Sequence, residues 1–175
     1  MKRNRTKNIK SLFGIGAIAG LAGGLAEVAW ISSLAAGGGT PVVEVARGIT
    51  AAITPSLAAT STGILLGLII HLSLAMALGV VMLMLWRGLL REHVSSWWGA
   101  SLALATLTTV WAVNFHVILP VLSPGFLGLV PTGLGLASKL LFALAFLAAL
   151  HVGRRHEKEV NLSPVYLEGD QDVHQ

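Results

Sequence analysis

The feature that most constrains this sequence is the scarcity of charge in its middle, because residues 11–153, which number 143, contain only seven charged side chains. The first ten residues alone contain five, all of them basic. Over the 175-residue chain, 11% of residues are charged and 54% are hydrophobic, whereas an ordinary soluble domain carries about 25% charged residues. This composition excludes an ordinary soluble fold and indicates a membrane protein.

Three other classes of function are disfavoured by the same composition. The net charge of +4 does not indicate a nucleic-acid partner, because the basic residues flank apolar runs instead of sharing one folded face. The chain has no cysteine, which excludes disulfides, thiolate metal sites and cysteine nucleophiles. No serine or threonine is placed with a base and an orienting acid as in a nucleophilic triad. We therefore expect a non-enzymatic protein without catalytic residues.

Four apolar stretches are long enough to cross a membrane as α-helices, since a hydrocarbon core of about 30 Å requires about 20 helical residues. They cover residues 11–36, 62–86, 96–119 and 133–152. The first follows a basic start, but it is longer than the apolar core of about 7–15 residues in a secretory signal. The sequence predicts an all-α, four-transmembrane-helix bundle in one membrane domain, residues 1–153, followed by a flexible cytoplasmic tail, residues 154–175.

The first and third connections between the predicted membrane helices differ in their predicted structure. Thr40 and Pro41 form a typical helix start, and apolar residues then recur at helical spacing, with Glu44 and Arg47 outside the stripe. This pattern predicts a short interfacial helix over residues 41–54. The third connection, residues 120–132, is apolar but contains three prolines. We expect no regular helix there, and a backbone covered by protein or headgroup water.

The distribution of lysine and arginine predicts the orientation, because short cytoplasmic loops hold an excess of both. Five lie in the first ten residues, Arg87 and Arg91 lie in the second connection, and three lie in residues 154–158. The first connection holds only Arg47, and the third holds none. We expect an integral protein of a bacterial inner membrane with both termini in the cytoplasm.

Each predicted membrane helix carries one ionisable side chain away from its cytoplasmic end, and these are Glu27, His71, His116 and Lys139. His151 lies near the cytoplasmic end of the fourth helix and does not belong to this group. Such residues are costly in lipid, so they usually face the bundle interior and have a partner. Each also lies in a line of small residues, which lets helix backbones approach closely. The lines are Gly16, Gly20 and Gly23; Gly63, Gly67, Ala75 and Gly79; Ala105, Thr109 and Ala112; and Gly135 and Ala143. These lines predict the helix-packing surfaces, and the ionisable groups should then form one intramembrane polar centre.

Asn114 is the other polar residue near this predicted centre. It lies about 200° from His116 around the helix, at 100° per residue. We therefore expect Asn114 to serve a different contact.

The same segments carry a resemblance to a known family. They are GIGAIAGLAGG on the first helix, IIHLSLAMALG around His71, VWAVNFHVILP around His116, and GLGLASKLLFALAFLAAL on the fourth helix. Together they resemble an uncharacterised family of small four-helix bacterial inner-membrane proteins. The resemblance covers most of residues 11–152 and implies the four-helix architecture, but no biochemical activity. That family often carries a histidine where this chain has Lys139, and a protonated lysine does not ligate a metal.

Three interpretations of the polar centre stay open. In the first, Glu27 pairs with Lys139, the histidines form hydrogen bonds, and the group only holds helices together. In the second, the centre handles a proton, a cation or a divalent metal, for which Glu27, His71 and His116 are suitable ligands. In the third, His71 and His116 hold a haem, although their expected depths differ by about 7 Å. We expect no cofactor and keep the divalent metal and the haem as alternatives.

The function predicted from these features is that of an accessory or scaffolding subunit in a larger membrane assembly, because four short helices bury little surface by themselves. The expected partners are the lipid bilayer and a neighbouring protein or a second copy of the chain, with no nucleic acid. The alternative is an autonomous membrane carrier or sensor whose buried centre of Glu27, His71, His116 and Lys139 binds or relays a proton, a cation or a metal.

Overall fold

A computed structural model describes residues 2–90 and 97–168 of the chain, and these residues form helices joined by short turns. The helices in chain order are α1 (Lys2–Ala36), α2 (Val42–Ala51), α3 (Pro55–Ala58), α4 (Ser61–Leu90), α5 (Trp97–Val113), a π-helical turn (Asn114–Ile118), α6 (Leu119–Leu122), α7 (Phe126–Leu129) and α8 (Thr132–Glu168). Residues 1, 91–96 and 169–175 lie outside the described residues. The predicted cytoplasmic position of Arg91, the predicted start of the third helix at residue 96 and the last part of the tail fall there.

Four segments of these helices are long and apolar enough to cross a membrane, and we number them as spans. They are the first span Leu12–Ala36, the second span Ser61–Trp86, the third span Trp98–Leu122 and the fourth span Thr132–Gly153. The third span combines α5, the π-helical turn and α6. The prediction of an all-α bundle with four membrane helices is confirmed, and the chain is an integral membrane protein.

Glycine lets the first two spans approach each other closely. A Cβ atom added at Gly20 would collide with the backbone of Ala75 and Gly79, and one added at Gly16 would collide with the backbone of Val80. In a bilayer, helix association depends on van der Waals contact and interhelical polar bonds, which such close approach improves. Of the small-residue lines predicted on the first two helices, Gly16, Gly20 and Gly79 lie in the α1–α4 interface. Gly23 instead meets the Phe142 ring of α8, Gly63 meets α3, and Gly67 meets the Ala46 backbone of α2.

Two apolar clusters fill the bundle at opposite ends. The larger cluster surrounds Trp86, whose ring meets Phe146 edge-on with 5.5 Å between ring centroids. The smaller cluster contains Val45 of α2, Phe115 and Leu119 of the third span, and Val130 after α7. In the larger cluster, the largest fully buried side chains are aromatic, namely Trp86, Phe142 and Phe146, and such rings bury large areas and pack specifically. The polar residues described below lie on the side of the smaller cluster.

The helix predicted over residues 41–54 is confirmed as α2, Val42–Ala51. Its inward face packs against α4, where Val45, Ala46 and Thr50 are buried. The Thr50 hydroxyl donates a hydrogen bond of 2.6 Å to the Gly63 carbonyl oxygen of α4. The apolar stripe of α2 thus covers the bundle, and its position at the membrane surface stays a prediction.

The third connection is more helical than its prolines predicted. Pro120 lies inside the third span, which continues to Leu122, and α7 follows after a turn. Proline lacks the amide hydrogen that an α-helix would direct at the carbonyl of His116. The chain widens to a π-helical turn just before Pro120, where the Leu119 N–H donates to the Asn114 carbonyl oxygen. The wider turn absorbs the proline, so the helix is not interrupted.

Both ends of the bundle also differ from the predicted boundaries. The structure begins α1 at Lys2 instead of residue 11, and α8 continues past Gly153 to Glu168 where a flexible tail was expected. Arginine and lysine are frequent in both extensions and glutamate in the second, and all three favour helix. Composition distinguishes lipid from water at these positions but does not determine where a helix ends.

Candidate intramembrane polar site

Glu27 is the centre of a polar group inside the bundle. It lies on α1, only 3% exposed. Its Oε1 atom accepts a hydrogen bond of 2.7 Å from the Ser138 hydroxyl and another of 2.5 Å from the Lys139 ammonium, both on α8. Lys139 lies over the Phe142 ring, 5.9 Å from its centroid. The carboxylate therefore has a charged partner and a neutral donor, as a buried charge requires.

His71 of α4 completes the group from the opposite side. Its Nε2 atom is 3.7 Å from Glu27 Oε2 and 3.4 Å from the Gly24 carbonyl oxygen. The structure therefore brings together Glu27, His71 and Lys139, which the sequence predicted to meet, on three different spans. We refer to these three residues with Ser138 as the polar centre.

The polar centre opens into a cavity of about 290 Å³ between the spans, beneath α2 and α7. Glu27, His71, Ser138 and Lys139 all line it. Most of the remaining wall is apolar and includes Ile49 of α2, Phe115 and Leu119 of the third span, and Phe126 of α7. A cavity with mainly apolar walls and a few converging polar groups is the usual form of a small-molecule site.

His116 does not join the polar centre, contrary to the sequence prediction. Its side chain is exposed and packs edge-on against Trp111, with 5.5 Å between ring centroids. The third span turns Ala103, Leu107, Phe115 and Leu119 inward, and His116 lies outside that stripe. The predicted line of Ala105, Thr109 and Ala112 also lies outside it, with Ala105 and Thr109 exposed.

The physical reason for this error lies in how the third span packs. It contacts mainly α8, and it does so through large side chains rather than close backbone approach. Gly135 of α8 accommodates the ring of Phe115, because a Cβ atom there would collide with that ring. Gly135 and Ala143 are buried as predicted, whereas Ala105 and Thr109 of the third span are exposed.

The outward position of His116 also removes one ligand from the predicted metal set of Glu27, His71 and His116. In the described part of the chain, no three histidine, aspartate or glutamate side chains converge in a way that could hold a metal ion. His71 and His116 do not face each other as two haem ligands would. Glu27 and His71 are thus left with a lysine, which repels a cation while it is protonated.

Two residues of the site were not recognised from the sequence. A serine in an apolar helix commonly bonds to its own backbone, so Ser138 has no distinct signal in the sequence by itself. Its position directly before Lys139 is the signal that was available. Asn114 was assigned to a different contact, yet it lines the same cavity from the π-helical turn. The predicted separation of Asn114 and His116 around the helix holds, because Asn114 lines the cavity and His116 is exposed. What was wrong is which of the two faces the interior.

The arrangement is chemically suited to binding and proton exchange. Glu27 accepts hydrogen bonds, Lys139 donates them, and His71 does either according to its tautomer. All three side chains line the same cavity, and Glu27 and Lys139 form a charged pair that joins α1 and α8. A molecule bound in the cavity therefore changes the surroundings of this pair. Comparison of the chain with protein-family models, curated proteins and solved structures finds no match. The function must therefore be argued from the site.

Proposed function

We propose that this integral membrane protein is a non-enzymatic carrier or sensor whose polar centre binds its ligand. The observation that supports this proposal is the cavity of about 290 Å³ beside the Glu27–Lys139 pair. An ion pair that only fastens helices is expected to be densely packed, because empty volume in a protein interior costs stability. A cavity beside the charged pair therefore favours a ligand-binding role over a purely structural role in holding the helices together.

The polar centre also provides a route from binding to a response. Glu27 receives both of its hydrogen bonds from α8, while His71 approaches it from α4. A ligand that bonds to Ser138 or to a further N–H group of Lys139 changes the surroundings of the carboxylate that both residues hold. The interaction between the first and fourth spans then changes, so the helices readjust. Binding is thereby coupled to helix packing, as sensing or transport requires.

Native mass spectrometry of the protein purified in mild detergent tests this proposal. We expect the wild-type protein to retain a small molecule that Glu27→Gln/Lys139→Met loses. Glu44→Gln/Arg47→Met is the matched control, because it removes a charged pair on α2 whose Nη1–Oε1 distance is 3.6 Å and whose side chains are 48% and 35% exposed. Equal retention by all three proteins, or no bound molecule in any, contradicts the proposal.

A second candidate function is that of an accessory or scaffolding subunit in a larger assembly. It is favoured by the outward face of the third span, where exposed His116 lies in line with Ala105 and Thr109. An ionisable side chain in a membrane span usually faces protein or water. Under this candidate, native mass spectrometry shows a stable assembly, and Ala105→Leu/His116→Leu dissociates it. A monomeric wild-type protein contradicts this candidate.

The location belongs to the same proposal. We place the chain in a bacterial inner membrane with both termini in the cytoplasm, supported by the basic residues that flank the spans. The resemblance to small four-helix inner-membrane proteins supports the same placement.

A further inference from the structure

The structure points to a particular class of ligand for the cavity. We infer that it takes a neutral lipophile with one carbonyl or hydroxyl oxygen, which enters from the bilayer between α4 and the third span. This inference rests on the proposed function, since it names the ligand of the same polar centre.

The walls of the cavity match a molecule that is apolar over most of its surface. Ile49 and Phe126 contribute from above the polar centre, and Phe115 and Leu119 contribute from the third span. The polar side chains of the wall are few: Ser138 and Lys139 follow each other on α8, and Asn114 lies on the third span. A ligand that fills this space must place its apolar body against Phe115 and Leu119 and its polar atom toward Lys139 and Asn114.

The charges of the site indicate that this polar atom is neutral. Glu27 and Lys139 neutralise each other when the carboxylate is ionised and the ammonium is protonated. A charged ligand would have to separate this pair, which leaves one buried charge without a partner. A neutral oxygen does not need to separate it, because the Lys139 ammonium carries three N–H groups and gives one to Glu27.

Asn114 provides the second observation. Asn114 lines the cavity and is half-buried, and among the described residues no side-chain hydrogen bond to it is found. Its amide is therefore available to a molecule that enters the cavity. A ligand oxygen, or a hydroxyl that both donates and accepts, satisfies the amide without adding charge.

The rim of the cavity indicates entry from lipid. Leu74 of α4 and Ile118 and Leu122 of the third span line the cavity and are 63%, 41% and 61% exposed. These two helices contact each other much less than the third span contacts α8. The gap between them is bordered by apolar side chains at membrane depth, a path suited to a lipophile and costly for a hydrated ion.

Photolabelling tests this inference with 3-azioctanol, a neutral eight-carbon alcohol that carries a photoreactive diazirine. The probe is applied to the full chain in lipid vesicles, and labelled residues are identified by mass spectrometry. We expect labelling of the cavity wall, competition by excess octanol and little competition by octanoate at neutral pH, because octanoate is charged. Labelling spread along the lipid-facing surface, or equal competition by the two, overturns the inference.

Two variants localise the labelling. Ala52→Phe fills the cavity from α2 and should reduce labelling by about tenfold, whereas Ala105→Phe adds the same ring on an exposed face and should not. Asn114→Leu removes the amide at similar volume and should reduce labelling by about fivefold. If Ala52→Phe fails to fold, Asn114→Leu still tests whether the labelling occurs in the cavity. Unchanged labelling in a folded variant overturns the inference.

The outcome is distinguishable from failure of the proposed function. If cavity labelling fails while wild-type protein still retains a molecule that Glu27→Gln/Lys139→Met loses, the ligand class is wrong and the binding function stands. If no molecule is retained and cavity labelling also fails, both are overturned.

Discussion

The Lys139 ammonium and the Glu27 carboxylate lie 112 residues apart in the sequence and meet inside the bundle at a Nζ–Oε1 distance of 2.5 Å. One residue lies on α8 and the other on α1, so their contact joins the first and fourth spans. Ser138, the residue before Lys139, donates to the same Glu27 oxygen. Two consecutive residues of α8 therefore donate to one carboxylate oxygen of α1. The contribution of this contact to the stability of the bundle can be measured.

Removal of Lys139 alone should destabilise the bundle. Lys139→Met leaves Glu27 buried without its charged partner, which typically costs about 3–5 kcal/mol. Glu27→Gln/Lys139→Met removes both charges and should be much milder. Circular dichroism is used to monitor the unfolding in detergent of Glu27→Gln, Lys139→Met and the double variant. Comparison of their stabilities measures the coupling between the two side chains. Additive effects would show that the two side chains do not interact.

Substitution of Gly20 should disrupt the α1–α4 interface. Gly20→Val places a side chain against the backbone of Ala75 and Gly79, and overpacking of this kind costs about 1–3 kcal/mol or more. Gly14→Val is the matched control on the same helix, because a Cβ atom there has no atom within 4 Å. Equal melting temperatures for the two variants would contradict the close approach of α1 and α4.

Thr50 should stabilise the docking of α2 on α4. Thr50→Val keeps the side-chain volume but leaves the Gly63 carbonyl without the threonine hydroxyl, at a cost of about 1–3 kcal/mol. Thr109→Val is the comparison, because the Thr109 hydroxyl bonds to the Ala105 carbonyl on an exposed face. Chemical denaturation should show a larger loss of stability for Thr50→Val. A loss that is larger for Thr109→Val would contradict the buried position of Thr50.

Cysteine labelling should reveal the proposed orientation, since the chain has no cysteine of its own. Ser56→Cys, in the exposed helix α3, should react with a membrane-impermeant maleimide added to intact cells. Ser163→Cys, in the extension of α8, should react only after the membrane is permeabilised. Reaction of Ser163→Cys in intact cells would reverse the proposed orientation.

The architecture was predictable because a bilayer imposes a simple requirement on sequence. Each span must be a helix of sufficient length and low charge, and all four were identified. The meeting of Glu27, His71 and Lys139 was also predictable, since ionisable residues in a span need a partner. Helix ends were less predictable, because the α8 extension to Glu168 depends on local propensity.

The third span shows what sequence spacing does not determine. Small residues at four-residue intervals indicate close packing only if a neighbouring backbone approaches that face. Here large residues such as Phe115 face inward and the small residue, Gly135, lies on the neighbouring helix. His116 was consequently assigned to the interior and Asn114 to another contact, the reverse of their positions relative to the cavity.

The π-helical turn at Asn114–Ile118 has a consequence for chain length and ancestry. A hydrogen bond that spans five residues instead of four accommodates one extra residue in that turn. A homologue in which the third span is α-helical throughout would therefore align with a one-residue deletion between Val113 and Leu119. Because the wide turn takes up the extra residue, the residues before and after the turn would keep the faces they have here, and only residues within the turn, Asn114 among them, would be displaced.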